Sequence, residues 1–283
     1  MPRKVRDNPL MEGRIYAGFH WKKTNMQFDE KDLEEVRQSR LLINQFDDWL
    51  FEEFKPYVGR RVLEIGCGLG NHFEHFLDKE RLVGFDLSSD TVLKVQQRFA
   101  VKPNVRVLAA SITDPGVLAL REERFDTAFS LNVFEHIEDD QLALQHTCQL
   151  LEPGGTFILI VPAHQWLYGP MDSSIGHIRR YTKKTARKKL EQAGFQIEIQ
   201  KYINMIGAFG WLVNGRMFRR RVPPRGQLRL LNGIIPICRN IERYCPAPFG
   251  VSLLSIARKK AGLSGKLAKE PIGVASNIRH FSV

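Results

Sequence analysis

The sequence predicts an α/β protein built on a mostly parallel seven-stranded β-sheet with helices on both faces. Short apolar runs alternate along the chain with longer amphipathic segments, which is the pattern of parallel strands joined by crossover helices. The predicted strands are 61–65, 81–85, 105–110, 125–131, 156–161, 195–202 and 252–258. The predicted helices lie near 70–78, 88–99, 138–151 and 182–193. With 283 residues, 43% of them hydrophobic, the chain can bury a large core around such a sheet.

The ends of the chain and one long insert lie outside this alternation. The predicted parts are an N-terminal extension (1–55), a core (56–202), a helical insert (203–249), the last core strand (250–261) and a tail (262–283). Within the extension, residues 31–54 have the three-to-four-residue apolar periodicity of a helix. The insert is far longer than an ordinary connection between two strands, so it is expected to have a role of its own.

The aromatic residues of the extension and of the insert suggest more than one role for each segment. The first 28 residues contain Tyr16, Phe19, Trp21 and Phe28. They could form a lid over a pocket, or an arm held against the core by its rings. In the insert, Trp211 and Phe218 neighbour the arginine run 219–221. The insert could therefore be a substrate cap, a homodimer surface or a helix on a membrane surface, and its dense apolar positions favour the first two.

The charge of the chain is unevenly distributed. Residues 1–150 hold 20 Lys and Arg against 25 Asp and Glu, a net charge of −5, and residues 151–283 hold 22 against 6, a net charge of +16. This asymmetry indicates an anionic partner for the second half, such as an anionic small molecule, a membrane surface or nucleic acid, or else a solvated basic surface.

The cysteine spacing and the first residues of the sequence indicate the cellular compartment and whether a metal site is expected. Cys67, Cys148, Cys238 and Cys245 are far apart, with no C-x-x-C and no histidine pair near them in sequence. We therefore predict reduced thiols, no disulfide framework and no metal site. The sequence has neither a run of about 18 apolar residues nor a signal-like leader, so a cytoplasmic location is expected.

A glycine-rich loop follows the first predicted strand. The run from Glu64 to Gly70 has glycines at alternate positions, and the second strand ends in Asp86. Glycines at a strand-to-helix turn let a ligand lie against the backbone, and an acid at the end of the next strand can hold two ribose hydroxyls. The glycine spacing differs from G-x-G-x-x-G, because Asn71 stands where a dinucleotide site has its third glycine.

Two more motifs follow in order. Residues 125–137 end a strand in Leu131-Asn132 and continue into Glu135-His136-Ile137, and residues 151–157 contain Leu-Glu-Pro-Gly-Gly. Together with the glycine loop and Asp86, these motifs resemble class I S-adenosylmethionine (SAM) dependent methyltransferases in order and spacing. The resemblance implies a Rossmann-like fold, SAM as cofactor and methyl transfer by in-line displacement.

The resemblance also implies where SAM binds. The implied positions are Glu64, Gly66, Cys67, Gly68, Gly70, Asp86, Leu87, Ser111, Ile112, Leu131 and Asn132. The loop would lie against the methionine part, Asp86 would bind the ribose diol, and Leu87 would pack on the adenine. Ser111 stands where an aspartate commonly reaches the adenine edge, with Asp114 as a second candidate, and Tyr16 could close over the cofactor.

The acceptor side is predicted from the segments after the fifth strand. Val161-Pro162-Ala163-His164 and Gly176-His177-Ile178-Arg179-Arg180-Tyr181 resemble a bacterial subfamily of these enzymes, associated with small molecules or surface glycans. Removing a proton from a hydroxyl acceptor needs a base, for which His164 is the first candidate and His177 the second. His136 is expected to pack or orient. Tyr168, Arg179, Arg180 and Tyr181 are the predicted substrate-binding residues, although the two arginines could instead clamp the sheet edge.

The predicted acceptor is a small molecule such as a specialised metabolite or a sugar- or lipid-linked precursor, methylated on O, N or C. The alternatives are an RNA or protein acceptor, or a SAM-binding module without turnover. The basic second half favours RNA, but the sequence lacks an aromatic RNA-binding motif and an Asn/Asp-Pro-Pro-aromatic signature, which argues against nucleic acid.

Overall fold

The computed structural model describes residues 44–261, whose strands form one seven-stranded sheet. The strands are β1 (Arg61–Ile65), β2 (Arg81–Asp86), β3 (Val105–Ala109), β4 (Phe125–Leu131), β5 (Leu151–Pro162), β6 (Phe195–Ile203) and β7 (Ser252–Lys259). Their spatial order is β3-β2-β1-β4-β5-β7-β6. The pairs among β1 to β5 are parallel, and β7 runs antiparallel to both β5 and β6. The predicted mostly parallel α/β sheet is thus confirmed.

Helices cover both faces of this sheet, as the alternation predicts. The α-helices are α1 (Asn44–Phe54), α2 (Ser89–Arg98), α3 (Asp140–Leu150), α4 (Pro170–Ser174), α5 (Lys183–Gln192), α6 (Met205–Trp211) and α7 (Arg225–Tyr244). One apolar layer packs α3 and α5 on the sheet, and the other packs α1, α2 and α7. No helix within residues 44–261 is long and apolar enough to cross a membrane.

The helix predicted near 70–78 is wrong, because only a short 3₁₀-helix, Phe73–Phe76, forms there. Gly70 has a φ of +69°, which keeps the chain out of the right-handed helical region until the following residues. Phe73 and Phe76 are both buried, at the three-residue spacing that a 3₁₀ turn brings to one face. The turn is therefore anchored by two rings rather than extended by further helical hydrogen bonds.

The insert begins and ends at one edge of the sheet. Ile203, the last residue of β6, pairs with Ser252, the first of β7. This is also the edge where β1, β2 and β4 end, because β5 is parallel to β4 and its last residue, Pro162, pairs with Ser252. Helices α6 and α7, joined through a π-helical turn at Leu212–Met217, therefore lie beside the loops that follow the parallel strands.

A charged cluster at the opposite edge gives a stability prediction. Glu123 accepts hydrogen bonds from Arg81 Nε at 2.8 Å and Nη2 at 2.9 Å, and from Arg106 Nη1 at 2.9 Å. Burial alone would raise the pKa of Glu123, but these arginines hold it below its ordinary value. We expect Glu123→Gln to cost about 1 kcal/mol at pH 7, discounted for partial exposure.

The same cluster fixes the pH dependence of that cost. A carboxyl whose pKa is lower in the folded state stabilises the fold above its unfolded pKa and loses that effect as the pH falls. The difference between Glu123→Gln and the parent, measured by urea unfolding, should therefore shrink from pH 7 to pH 3. Exposed Glu122, replaced by Gln, is the control and should change stability by less than about 0.5 kcal/mol. A cost that is independent of pH would contradict the ion-pair explanation.

Candidate functional site

The glycine loop after β1 adopts a conformation that other residues would strain. Gly66, Gly68 and Gly70 have φ angles of +75°, +49° and +69°. A Cβ on Gly66 would meet Val133 Cγ2 at 2.4 Å, so the loop packs directly against the turn that follows β4. A Cβ on Gly68 would have no atom within 4 Å, so this part of the loop presents bare backbone to open space.

Asp86, at the end of β2, is held beside this loop. Its Oδ2 accepts a hydrogen bond from Gly68 N at 3.0 Å, and its Oδ1 accepts one from Ser88 N at 3.0 Å. The next residue, Leu87, leaves 58% of its surface exposed. An anchored carboxylate next to an exposed apolar side chain can bind a sugar diol and cover an aromatic base.

Glu64 lies beneath the loop as a buried acceptor. It is 2% exposed, and its Oε1 is 2.7 Å from His72 Nδ1. Its Oε2 is buried and has no hydrogen-bond partner among residues 44–261. Burial raises the pKa of Glu64, the His72 contact opposes that rise, and Asp86 adds to it. The site thus keeps one buried carboxylate oxygen for a donor group from a ligand.

The loops after β3 and β4 complete this part of the site. Asn132 has a φ of +53°, which turns the chain sharply at the end of β4, and Leu131 beside it is 9% exposed. Ser111 Oγ is 2.8 Å from Thr113 Oγ1. Asp114 caps the following 3₁₀-helix by accepting from Gly116 N at 2.8 Å, and contact of either residue with adenine stays a prediction.

Two predicted cofactor positions are core residues. The Ile112 side chain is 4% exposed and belongs to the core layer under α3, and Cys67 is 4% exposed. Burial raises the pKa of the Cys67 thiol, which makes it a packing group rather than a nucleophile. Contact between these two residues and a ligand stays a prediction. Tyr16 and the rest of the predicted aromatic lid lie outside the described residues.

A family model describes the same part of the chain. Residues 35–200, more than half of the sequence, match the family described as a methyltransferase domain. The chain belongs to this methyltransferase family. The predicted family, SAM-dependent methyltransferases with SAM as cofactor, is thereby confirmed, while the roles of the individual motifs stay predictions.

Curated relatives are methyltransferases with different acceptors. The chain is 29% identical over 144 residues to a probable S-adenosylmethionine-dependent methyltransferase of Mycolicibacterium smegmatis, covering 50% of this chain and 54% of that one. It is 28% identical over 157 residues to a ubiquinone biosynthesis O-methyltransferase of Alkalilimnicola ehrlichii, covering 55% and 60%. It is 33% identical over 119 residues to a tRNA U34 carboxymethyltransferase of Pseudoalteromonas atlantica, covering 40% and 36%. The matches thus span about a third to three fifths of these relatives.

Solved structures share the fold. A chain of the complex between the Haloferax volcanii Trm112 methyltransferase activator and a methyltransferase matches with a TM-score of 0.53 at 18% identity, covering 83% of this chain and 98% of that one. The YcgJ protein of Bacillus subtilis matches with a TM-score of 0.50 at 17% identity, covering 76% and 100%. At these identities the likeness concerns the fold alone.

The residues of this methyltransferase suit SAM. Glu64 Oε2, which has no hydrogen-bond partner among residues 44–261, can accept a hydrogen bond from the amino group of the methionine part of SAM. The bare backbone at Gly68 leaves room for the ligand, and the Asp86 carboxylate can receive the ribose hydroxyls. His72, which orients Glu64, was missed by sequence reasoning because nothing in its neighbourhood distinguishes it from a surface histidine.

A cavity lies between the sheet edge and the insert of the methyltransferase. It has a volume of about 220 Å³ and is called here the insert cavity. Asn132 and Pro162 line it from the ends of β4 and β5, and α6 and α7 close its other side. Apolar side chains that line it include Phe46, Met171, Ile175, Trp211, Leu228, Leu231 and Ile235. His177 and Arg180 line it as well, so it is mostly apolar with a polar end.

Asp172 organises that polar end. It is fully buried and accepts hydrogen bonds from His177 Nδ1 and Arg180 Nε, both at 2.8 Å, and from Trp211 Nε1 and Gly169 N, both at 3.1 Å. Burial alone would raise the pKa of Asp172, but His177 and Arg180 hold it below its ordinary value. Since Trp211 belongs to α6, this carboxylate also fastens the insert to the core.

His164, the first candidate base, lies elsewhere. Its φ is +63°, its ring centroid is 4.3 Å from that of Tyr202 and 5.4 Å from that of Trp166, and it is not among the residues that line the insert cavity. Burial and the charge of Arg180 lower its pKa. Catalytic roles for His164 and His177 stay predictions, and of the two only His177 lines the insert cavity.

Three predicted substrate residues make structural contacts. Arg179 Nη1 is 2.8 Å from Asp140 Oδ1, and the Tyr181 hydroxyl donates to Asp140 Oδ2 at 2.7 Å. The Tyr168 hydroxyl donates to the carbonyl of His177 at 2.7 Å. Of the four predicted substrate residues, only Arg180 lines the insert cavity. The contacts of Arg179 agree with the alternative role given above, in which the arginines hold the edge of the sheet together.

Proposed function

We propose that this enzyme transfers the methyl group of SAM to a hydroxyl of a small, mostly apolar acceptor held in the insert cavity. The observation that carries this proposal is the insert cavity itself. It is lined mainly by apolar side chains and reaches Asn132, the neighbour of Val133, against which the glycine loop packs. The O-methyltransferase name of the Alkalilimnicola ehrlichii relative supports the same class of acceptor atom.

The charge of Arg180 at the cavity is already compensated within the protein. Arg180 is 5% exposed, and its guanidinium donates to Asp172 and, through Nη1, to the carbonyl of Ala163 at 3.0 Å. Its charge is therefore balanced inside the protein and is not offered to an acceptor carboxylate or phosphate. Trp211, whose ring lies 4.8 Å from the Arg180 guanidinium carbon, provides a flat apolar wall.

SAM, when bound, supplies an electrophilic methyl group on a sulfonium. The protein's part is to hold the acceptor hydroxyl in line and to help it lose its proton, and positioning alone can contribute effective molarities of roughly 10⁵ M or more. His177 lies at the polar end of the cavity and is oriented by Asp172 through Nδ1. We assign the proton-removing role to the His177 position rather than to His164.

Replacement of each histidine tests that assignment. We expect His177→Gln to lower single-turnover methyl transfer by roughly 10²-fold or more at saturating SAM, with SAM affinity within about twofold of the parent. His164→Gln is the matched control and should retain most of the turnover. A larger loss in His164→Gln than in His177→Gln would return the role to His164.

The acceptor class is tested with methyl-labelled SAM. The purified chain is incubated with a panel of phenols, catechols and aliphatic alcohols of one or two rings, and in parallel with total tRNA. We expect the label in the organic-extractable fraction of at least one hydroxyl compound, as a product that resists the mild base that cleaves methyl esters. Label in tRNA alone would overturn the small-molecule proposal and favour the RNA alternative that the basic second half suggests.

A further inference from the structure

Three side chains of kinds that can bind a metal ion converge next to the insert cavity. Glu135 and His136 belong to the 3₁₀ turn Phe134–His136 after β4, and His177 belongs to the loop after α4. One donor atom from each lies within 4.8 Å of the other two. The rings of His136 and His177 are 4.8 Å apart at an interplanar angle of 74°, so they converge edge to face rather than stacking.

Hydrogen bonds indicate which ring nitrogen of each histidine carries the proton. His136 Nδ1 is 3.0 Å from the carbonyl oxygen of Gly176, which can only accept, so Nδ1 carries the proton. His177 Nδ1 likewise donates to the Asp172 carboxylate at 2.8 Å. In each neutral imidazole the lone pair is then on Nε2. A histidine whose Nδ1 donates to a carbonyl or carboxylate is the usual form of a metal ligand.

The backbone holds these groups in register. Ile178 N donates to the carbonyl of Glu135 at 2.9 Å, which joins the two loops between the ligand positions. Glu135 is fully buried and His177 is 6% exposed, whereas His136 is exposed. An ion could therefore enter from the solvent side at His136 and be held by the two buried ligands.

We propose that Glu135, His136 and His177 bind a divalent transition-metal ion, with Zn²⁺ as the best fit. His177 Nε2 is 3.5 Å from Glu135 Oε1, close to the roughly 3.4 Å edge of a tetrahedron with bonds of about 2.1 Å. Two imidazoles and one carboxylate suit Zn²⁺, Co²⁺ or Fe²⁺, whereas Mg²⁺ prefers an all-oxygen octahedral shell. Three protein ligands leave a coordination position open, as in catalytic rather than structural zinc sites.

The site deepens the proposed function, on which its role rests. His177 lines the insert cavity, so an ion bound by it would lie next to the polar end of that cavity. A bound ion would make a hydroxyl coordinated to it more acidic, and the proton would leave to solvent on the exposed His136 side. With the ion bound, His177 would be a ligand through Nε2, and the ion would take the place of the proton-removing role given to the imidazole above.

This proposal departs from the sequence prediction of no metal site. That prediction considered histidines close in sequence to cysteines, whereas the three ligands here are two adjacent residues and a histidine far along the chain. The fold unites them because β4 and the loop after α4 meet at the same sheet edge.

Metal binding is measured on the full chain after removal of metal with a chelator and dialysis. Zn²⁺ is titrated against a competing chromophoric chelator, and Co²⁺ against its visible absorption. We expect one Zn²⁺ per chain, an intense tetrahedral-type Co²⁺ spectrum and little competition from millimolar Mg²⁺. His136→Gln should weaken Zn²⁺ binding by at least about 100-fold, while exposed His75→Gln, the matched control, should not change it.

The outcomes separate this site from the proposed function. No stoichiometric binding, or binding that His136→Gln and Glu135→Gln leave unchanged, would overturn the metal site, even if methyl transfer to a hydroxyl is observed. Since Glu135 is buried, both variants are first checked for parent-like unfolding and SAM binding, and His136→Gln, at an exposed position, decides if Glu135→Gln misfolds. Zn²⁺ binding that depends on His136, without transfer to any hydroxyl compound, would keep the site and overturn the proposed acceptor.

Discussion

Replacing Asp86 with alanine is expected to weaken SAM binding by on the order of 100-fold, because a carboxylate that accepts from two hydroxyls contributes roughly 3 kcal/mol. The variant also removes the anchor that Asp86 gives to Gly68 N and Ser88 N, so the loop loses both a ligand contact and its support. Isothermal titration with SAM or its demethylated product measures the effect.

Asp90→Ala is the control for that variant. Asp90 is an exposed acid in the first turn of α2, four residues further along, so its removal takes away a similar charge without a contact to the loop. We expect its SAM affinity to stay within about twofold of the parent. Equal affinities for Asp86→Ala and the parent would show that the ribose is bound elsewhere.

The largest loss of stability is expected from Asp172→Asn. The asparagine cannot accept from all four donors and takes the ion-pair partner from the Arg180 guanidinium, which is 5% exposed. Removing one partner of a buried ion pair typically costs about 3–5 kcal/mol. The urea midpoint should therefore fall markedly, and the insert should open to proteolysis because Trp211 Nε1 loses its acceptor.

A second replacement distinguishes this cause from simple misfolding. Arg180→Met removes the stranded charge, so Asp172→Asn combined with Arg180→Met should be less unstable than the sum of the two single variants. Strictly additive free energies of unfolding would contradict the ion-pair explanation. An unchanged urea midpoint for Asp172→Asn would show that the carboxylate is not the junction between insert and core.

The sheet could be predicted from the sequence because buried parallel strands are continuous apolar runs. Strand β4 has the predicted bounds, Phe125–Leu131. Strand β5 begins at Leu151 rather than at 156, because Leu151 pairs with Phe125 through an irregular register. Pro153, Gly154 and Gly155 are residues typical of turns, so the sequence predicts a turn where the strand in fact begins.

The approach of Asp86 to the glycine loop could be predicted, while the arrangement of residues around the insert cavity could not. The glycine loop and Asp86 are close in sequence and their spacing is fixed by one strand-turn-strand unit, so local pattern is enough. Asp172 and Trp211 meet across 39 positions, and neither has a local feature that marks it. The sequence does not show which of His164 and His177 lies closer to the acceptor. Only the position of the insert places His177, and not His164, at the insert cavity.

A crystal structure with S-adenosylhomocysteine tests the central claim most directly. We expect the ribose diol within hydrogen-bond distance of the Asp86 carboxylate, the amino group at Glu64, and the sulfur directed past Asn132 toward the insert cavity. Density for the ligand away from the Gly66–Gly70 loop, or a sulfur atom directed away from the insert cavity, would contradict it.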